Sequence, residues 1–374
     1  MRIILLLTGF ALLCGCSAGK RAAGPRVLQL SIAADEEFRA RPGWEKVVRQ
    51  RVANVSAVWE RQFGIRWEVA VVNPWNSDNN AEAEVLRRSL RGATPGPSTL
   101  LLGISCQQHS GYSLGFTAPF TKVLVVYDFP QLSEADNAAI LCHQFARLFG
   151  AWEVPGSDSV MNLRPTTLQF DTQTAEVVRL TKDVDFDAGI TGLDTAIAEK
   201  IRRMYAAGKG DPAKNPIYLA HARAGEELLG ARSTEAALTE LRKASEMDPN
   251  NARLHGEMAV ALMGINELPS AIKEFREVVR LQPLSAAGHA NLGSLLARTG
   301  NLREGSEEVR KAVALNPGDP SLHFAMGTVL MRTPGQMEAG IAQIREGLRL
   351  EPDSAIGKSL LAGAEHVRTG ARKP

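Results

Sequence analysis

Four side chains between positions 143 and 153 are of types that could do chemistry, and their spacing decides which. His143 and Arg147 stand four apart, one turn of a helix, so both project from one face; Gln144 adjoins His143, and Gly150 and Glu153 follow. A hydrolytic metal site needs three neutral or anionic protein ligands, an open position for water and a group that takes that water's proton. In this chain His143 and Glu153 could ligate a metal, and together they make only two such ligands. Arg147 brings five donors and a permanent positive charge, which repels a cation. Gln144 has the shape of a glutamate but takes no proton near neutral pH. Met161 lies a little further on, in the run Ser159-Val-Met-Asn162.

The flanking sequence supplies elements that would position these groups. Residues 122–128 read as an apolar strand, Ser133 as a helix N-cap, Ile140, Leu141, Leu148 and Phe149 as apolar residues at helical period, and Gly150 as the residue that ends the helix. In that order, the run His-Gln-Phe-Ala-Arg-Leu-Phe-Gly-Ala-Trp-Glu with its later Met161 resembles the H-E-x-x-H-x-x-G-x-x-H signature and Met-turn of metzincins. Within them it is most similar to bacterial zinc-dependent metalloprotease-type lipoproteins that carry helical repeats. The resemblance implies an α/β metzincin-like domain over residues 26–208, with His143 at the first ligand, Arg147 and Glu153 at the second and third, and Gln144 at the general base. Three of the four reactive positions depart from the family, so the site reads as degenerate: no catalytic residue, and zinc lost. Were a metal bound, His143 and Glu153 would be its candidates. Zinc ties helix to loop in that family; without it, Arg147 and Glu153 are placed to form a partly buried ion pair across the turn.

Upstream, the chain alternates strand and helix: strands at 27–33, 65–72 and 99–104, an amphipathic helix carrying Trp44, Val48, Val55 and Trp59, and a second helix at 81–90. His109 stands alone in a loop without a companion at ligand spacing. Helices at 172–181 and 193–207 close the domain before a linker at 209–217.

The first residues bear on compartment. Met1-Arg2 and the apolar run to Leu13 have the length of a signal-peptide core, and Leu13-Cys-Gly-Cys16 resembles a lipobox, which implies a signal peptide at 1–15, lipidation of Cys16 and a polar tether over 16–25. Ser17 favours the outer membrane in a Gram-negative cell. Removing the leader takes away only Arg2 of 43 basic residues, against 41 acidic ones, so charge makes no case for nucleic acid or for an anionic bilayer; membrane attachment would be by the N-terminal lipid alone. Cys106 and Cys142 remain as candidates for a disulfide in an exported chain.

From Tyr218 the sequence becomes periodic. Pro249, Pro283, Pro317 and Pro352 recur at intervals of 34, 34 and 35 residues, and small residues recur with them at positions such as Gly225, Ala259, Gly293 and Gly327. This pattern resembles tetratricopeptide repeats (TPRs), and implies four helical hairpins over 218–352, an all-α solenoid with a capping helix and tail at 353–374. The concave face, counted from the repeat, would show Leu219, Arg253, Val260, Met263, Arg298, Phe324 and Arg332. TPR grooves take peptides, so the expected partner is a protein or peptide. The whole then reads as an exported, lipid-anchored scaffold; the alternatives are a divergent metallohydrolase using His143 and Glu153, and a structural self-assembly unit.

Overall fold

Alternation along the strands builds a two-faced sheet. The computed structural model describes residues 24–77, 89–90, 99–107, 114–154, 158–208, 211 and 214–370. The signal peptide, Cys16, nearly all of the tether, most of the 81–90 helix and His109 lie outside these residues. Five strands, β1 (Arg26–Ala34), β2 (Ile65–Pro74), β3 (Thr99–Ser105), β4 (Gly115–Thr117) and β5 (Val123–Tyr127), form one sheet in the order β2-β1-β3-β5-β4. All neighbours are parallel except β4, which runs antiparallel to β5. Leu30, Ile32, Leu100, Leu102, Leu124 and Val126 point to one face, whereas Ala33, Leu101, Val125 and Tyr127 point to the other, with Trp75 and Leu90.

The first face is covered by α2 (Trp44–Phe63) and α3 (Glu134–Leu148), entered through the short α1 (Glu36–Arg39). Helical spacing turns Val48, Val52, Val55 and Trp59 of α2 inward, where Trp59 meets Phe145 of α3 edge to face at 6.3 Å and Trp67 of β2 at 5.5 Å. Trp67 stacks on Phe145 at 3.8 Å. Trp59 is fully buried, and burial of its roughly 200 Å² is worth about 5 kcal/mol of transfer free energy. The helices α4 (Thr172–Thr181) and α5 (Thr195–Ala207) complete the domain.

The remaining chain is helical hairpins: α6 (Pro216–Gly230) with α7 (Thr234–Met247), α8 (Ala252–Gly264) with α9 (Leu268–Leu281), α10 (Ala286–Arg298) with α11 (Leu302–Leu315), and α12 (Pro320–Arg332) with α13 (Met337–Leu350), followed by α14 (Ala355–Gly370). Within the third pair the backbones nearly touch: a Cβ on Gly293 would lie 2.7 Å from the Gly305 carbonyl oxygen, and a Cβ on Gly305 would lie 2.8 Å from that of Gly293. Small residues therefore recur at the repeat period because the hairpin has no room for more. The first hairpin begins two residues earlier than the periodic sequence implied, with Asn215 capping α6 and Pro216 at its start. Ile217 and Ala220 of α6 belong to the same apolar core as the sheet domain, so the solenoid is docked on it. Among the described residues no helix is long and apolar enough to cross a membrane.

Candidate functional site

Helix α3 begins as the sequence implied. Ser133 accepts the Asp136 amide, and Asp136 reaches back to the Ser133 amide, a reciprocal cap that fixes the register of everything downstream. Gly150, with φ of 87°, closes the helix in the left-handed region; any Cβ there would also meet the Phe120 ring at 2.7 Å. The chain then folds back on itself through Val154, whose amide donates to the Met161 carbonyl at 2.9 Å, and Met161 is fully buried.

This return brings the sequence-singled residues together. His143 is 2 % exposed and donates its Nδ1–H to the Val160 carbonyl at 2.9 Å. Burial, the neighbouring Arg147 charge and that carbonyl act on it in that order, and the first two prevail, lowering its pKa to about 4. It is a neutral imidazole at pH 7, with the proton on Nδ1. Gln144 turns to β4 and accepts the Thr117 hydroxyl at 2.7 Å. Arg147 pairs with Glu153 across the Gly150 turn at 3.0 Å. The pair forms, but not in the partly buried state that the position of a metal ligand implied. At 29 % and 42 % exposure it remains solvated, and such pairs contribute under about 1 kcal/mol. Among the described residues no three His, Cys, Asp or Glu side chains gather as a metal-holding group.

The short strand β4 escaped the sequence reading altogether, because three residues offer no alternation to detect. It matters here. With His143, Gln144, Arg147, Glu153 and the solenoid residues Leu219, Arg223, Glu226 and Arg253, the segment 114–119 lines a cavity of about 440 Å³ at the junction of the two halves. Arg223 and Arg253 both pair with Glu226 there, and each has a second carboxylate partner in Glu227 and Glu257, so both guanidiniums of the solenoid wall are engaged.

Cys106 and Cys142 are not bridged. Cys142 is buried in the core, its sulfur accepting the Trp59 indole N–H at 3.3 Å. Cys106 lies at the end of β3 in a polar cluster: its amide donates to Asp35, and Arg41 donates to its sulfur at 3.0 Å. Burial raises both thiols to about 12, so neither is a ready nucleophile. The same cluster holds a buried ion pair that sequence inspection missed. Arg51, on the apolar face of α2 and 2 % exposed, donates to Asp128 at 2.6 Å and grips Glu134 with two nitrogens, tying α2 to the end of β5 and the start of α3. A cation interrupting the stripe of Val48, Val52 and Val55 was the available signal.

Of the expected groove residues, Leu219 and Arg253 line the junction cavity. Val260, Met263, Arg298 and Arg332 line a second cavity of about 330 Å³ on the first helices of repeats two to four. Phe324 does neither. It is 6 % exposed and packed where Gly347 and Gly357 leave space for its ring, a core residue of the fourth repeat rather than a groove anchor. A further regularity went unread: His221, His255, His289 and His323 recur every 34 residues. The first three place Nδ1 2.6 Å from Glu240, Glu274 and Glu308, and the fourth sits 2.9 Å from Gln343. Nε2 of the last three lies 3.0 Å from the carbonyls of Pro249, Pro283 and Pro317. These last three staple their hairpins to the turn before.

Residues 228–298 match the sequence model of the tetratricopeptide repeat family. No curated protein matches the chain significantly. Solved structures that match part of the chain include MamA (41-end) from Desulfovibrio magneticus RS-1, at 22 % identity over 43 % of this chain and 87 % of that one with a TM-score of 0.38. Another is a thermophilic TPR protein in Thermus thermophilus, at 18 % over 45 % and 89 % with a TM-score of 0.35. A third is the first TPR of Spaghetti (RPAP3) bound to an HSP90 peptide, at 17 % over 32 % and 93 % with a TM-score of 0.30. The C-terminal region of the chain is a TPR-like helical solenoid.

Proposed function

We propose that the protein is a non-catalytic scaffold: a metzincin-like domain without its metal chemistry, joined to a TPR module that recognises a protein or peptide, and held at the cell envelope by a lipid on Cys16. One observation supports the loss of chemistry most strongly. The two side chains at the second and third ligand positions, Arg147 and Glu153, are bonded to each other, and a guanidinium stands where a lone pair is required. The parallel sheet with one antiparallel edge strand, the helix stopped at Gly150 and the buried Met161 beside Val160 accord with the metzincin resemblance.

Recognition then falls to the concave face. The exposed Val260, at 55 %, is an apolar side chain with no role in the core. Affinity capture from membranes of the source cells, with the soluble chain from Gly24 onward as bait, tests this. Val260→Asp should lose the captured partner while the fold is kept. Recovery that survives Val260→Asp but is lost when the segment lining the junction cavity is altered (Leu163→Asp) would move recognition into the degenerate cleft.

A further inference from the structure

The second groove cavity differs from the others in its charge. The junction cavity is lined by Glu153 and Glu226 as well as arginines, and a third, beside α5, includes Glu199 and Glu246. The cavity on repeats two to four is lined by Arg298 and Arg332 and, among the described residues, by no Asp or Glu. Among those residues neither guanidinium forms a hydrogen bond or ion pair, whereas Arg223, Arg253 and Arg276 of the same solenoid are all paired. Each therefore retains five donors facing a concave surface. Asn291, Ser294 and Thr328 add polar side chains beside them, and Val260, Met263, Leu295 and Val329 supply an apolar floor.

The two arginines occupy the last turns of α10 and α12, equivalent positions in adjacent repeats. Neighbouring packed helices are about 8–10 Å apart, and an extended polyproline-type peptide rises about 3.1 Å per residue, so carboxylates three residues apart would be presented at that interval. Arginine also engages carboxylates with two parallel donors, which gives geometry as well as charge.

We infer that the groove over repeats two to four binds an acidic peptide segment, two carboxylates about three residues apart seated on Arg298 and Arg332 with an apolar side chain on the Val260–Met263 floor. The inference rests on the solenoid being the recognition module, and names what it recognises. An uncharged or basic segment would leave both guanidiniums unpaired beneath it, which is the source of selectivity.

A displayed library of random peptides, panned on the soluble chain from Gly24 onward, on the double variant Arg298→Glu/Arg332→Glu and on Val260→Asp, provides the test. Folding of each is checked by circular dichroism. The parent chain should enrich sequences with Asp or Glu pairs next to an apolar residue, and the best of these, synthesised with a fluorophore, should bind the double variant about tenfold or more weakly. Replacing its acidic residues by Gln or Asn should have a comparable effect, and raised salt should weaken it. Enriched peptides without acidic residues, lost on Val260→Asp but indifferent to the arginine changes, would overturn the acidic assignment and leave the groove as the binding face. No enrichment on any form, or enrichment equal on all three, would overturn both.

Discussion

His143 carries a proton balance that can be read out separately from the rest of the chain. Its ring is buried, Nδ1–H is committed to the Val160 carbonyl and Arg147 stands one turn away, so a second proton is excluded until the pH falls to about 4. In the unfolded chain the same group titrates near 6.5. The folded pKa lies below the unfolded one, and the protonated form is favoured by unfolding; the stability this group preserves is intact above about pH 6.5 and is lost progressively as pH falls toward about 4. Each pH unit between those two values is worth about 1.4 kcal/mol, so roughly 2.5 kcal/mol should be gone by about pH 4.5. The perturbation is His143→Asn, whose side-chain amide can still donate toward Val160 but cannot titrate. All five tryptophans, Trp44, Trp59, Trp67, Trp75 and Trp152, precede the solenoid, so urea unfolding followed by their emission reads the sheet domain directly. Carboxylates common to both proteins cancel in the comparison. Between pH 7 and about 4.5 the parent should lose roughly 2.5 kcal/mol more than the variant. Parallel pH curves would refute the account of a buried, neutral imidazole.

Three other perturbations probe the packing. Asp128→Ala leaves Arg51 buried with only the exposed Glu134 as partner and should destabilise the sheet domain by about 3–5 kcal/mol, against under about 1 kcal/mol for Arg147→Ala at the solvated pair, both by urea midpoint. Gly293→Ala inserts a methyl 2.7 Å from the Gly305 carbonyl oxygen and should cost about 1–3 kcal/mol. Gly363→Ala, on an open face of α14, should stabilise by up to about 1 kcal/mol; thermal melts at the helix signal separate the signs. At His255, burial lowers the pKa, but the Glu274 carboxylate and the Pro249 carbonyl outweigh it, and the net shift is upward. Its contribution is present below about pH 6.5 and fades as pH rises through the folded value, so the solenoid should melt lower at pH 8 than at pH 6 and His255→Gln should reduce that difference.

Long periodic elements were legible in the sequence because their signal is repeated. The prolines at 34-residue spacing and the small residues between them located every hairpin, and Ser133 and Gly150 located the ends of α3. The site was legible by residue type but not by environment. Arg147 and Glu153 were correctly paired, yet their exposure depends on how the return through Val154 is packed, which no spacing encodes. Phe324 sits at a groove-facing count in an ideal repeat, but Gly347 and Gly357 open a hole behind it, and an aromatic ring fills a hole before it faces water. The unbridged cysteines follow from the same cause: Cys142 is covered by Trp59 and Cys106 is claimed by Arg41 and Asp128. Strand β4 was missed because its existence depends on β5 as a pairing partner and not on its own three residues.

The claim that metal chemistry has been replaced is tested most directly by zinc content. The soluble chain from Gly24 onward, dialysed against zinc and then against buffer, should retain far less than one zinc per chain by elemental analysis, and should leave casein intact. The triple reversion Gln144→Glu, Arg147→His and Glu153→His should take up one. Stoichiometric, tightly held zinc in the parent chain, with casein cleavage that a chelator abolishes, would contradict the account.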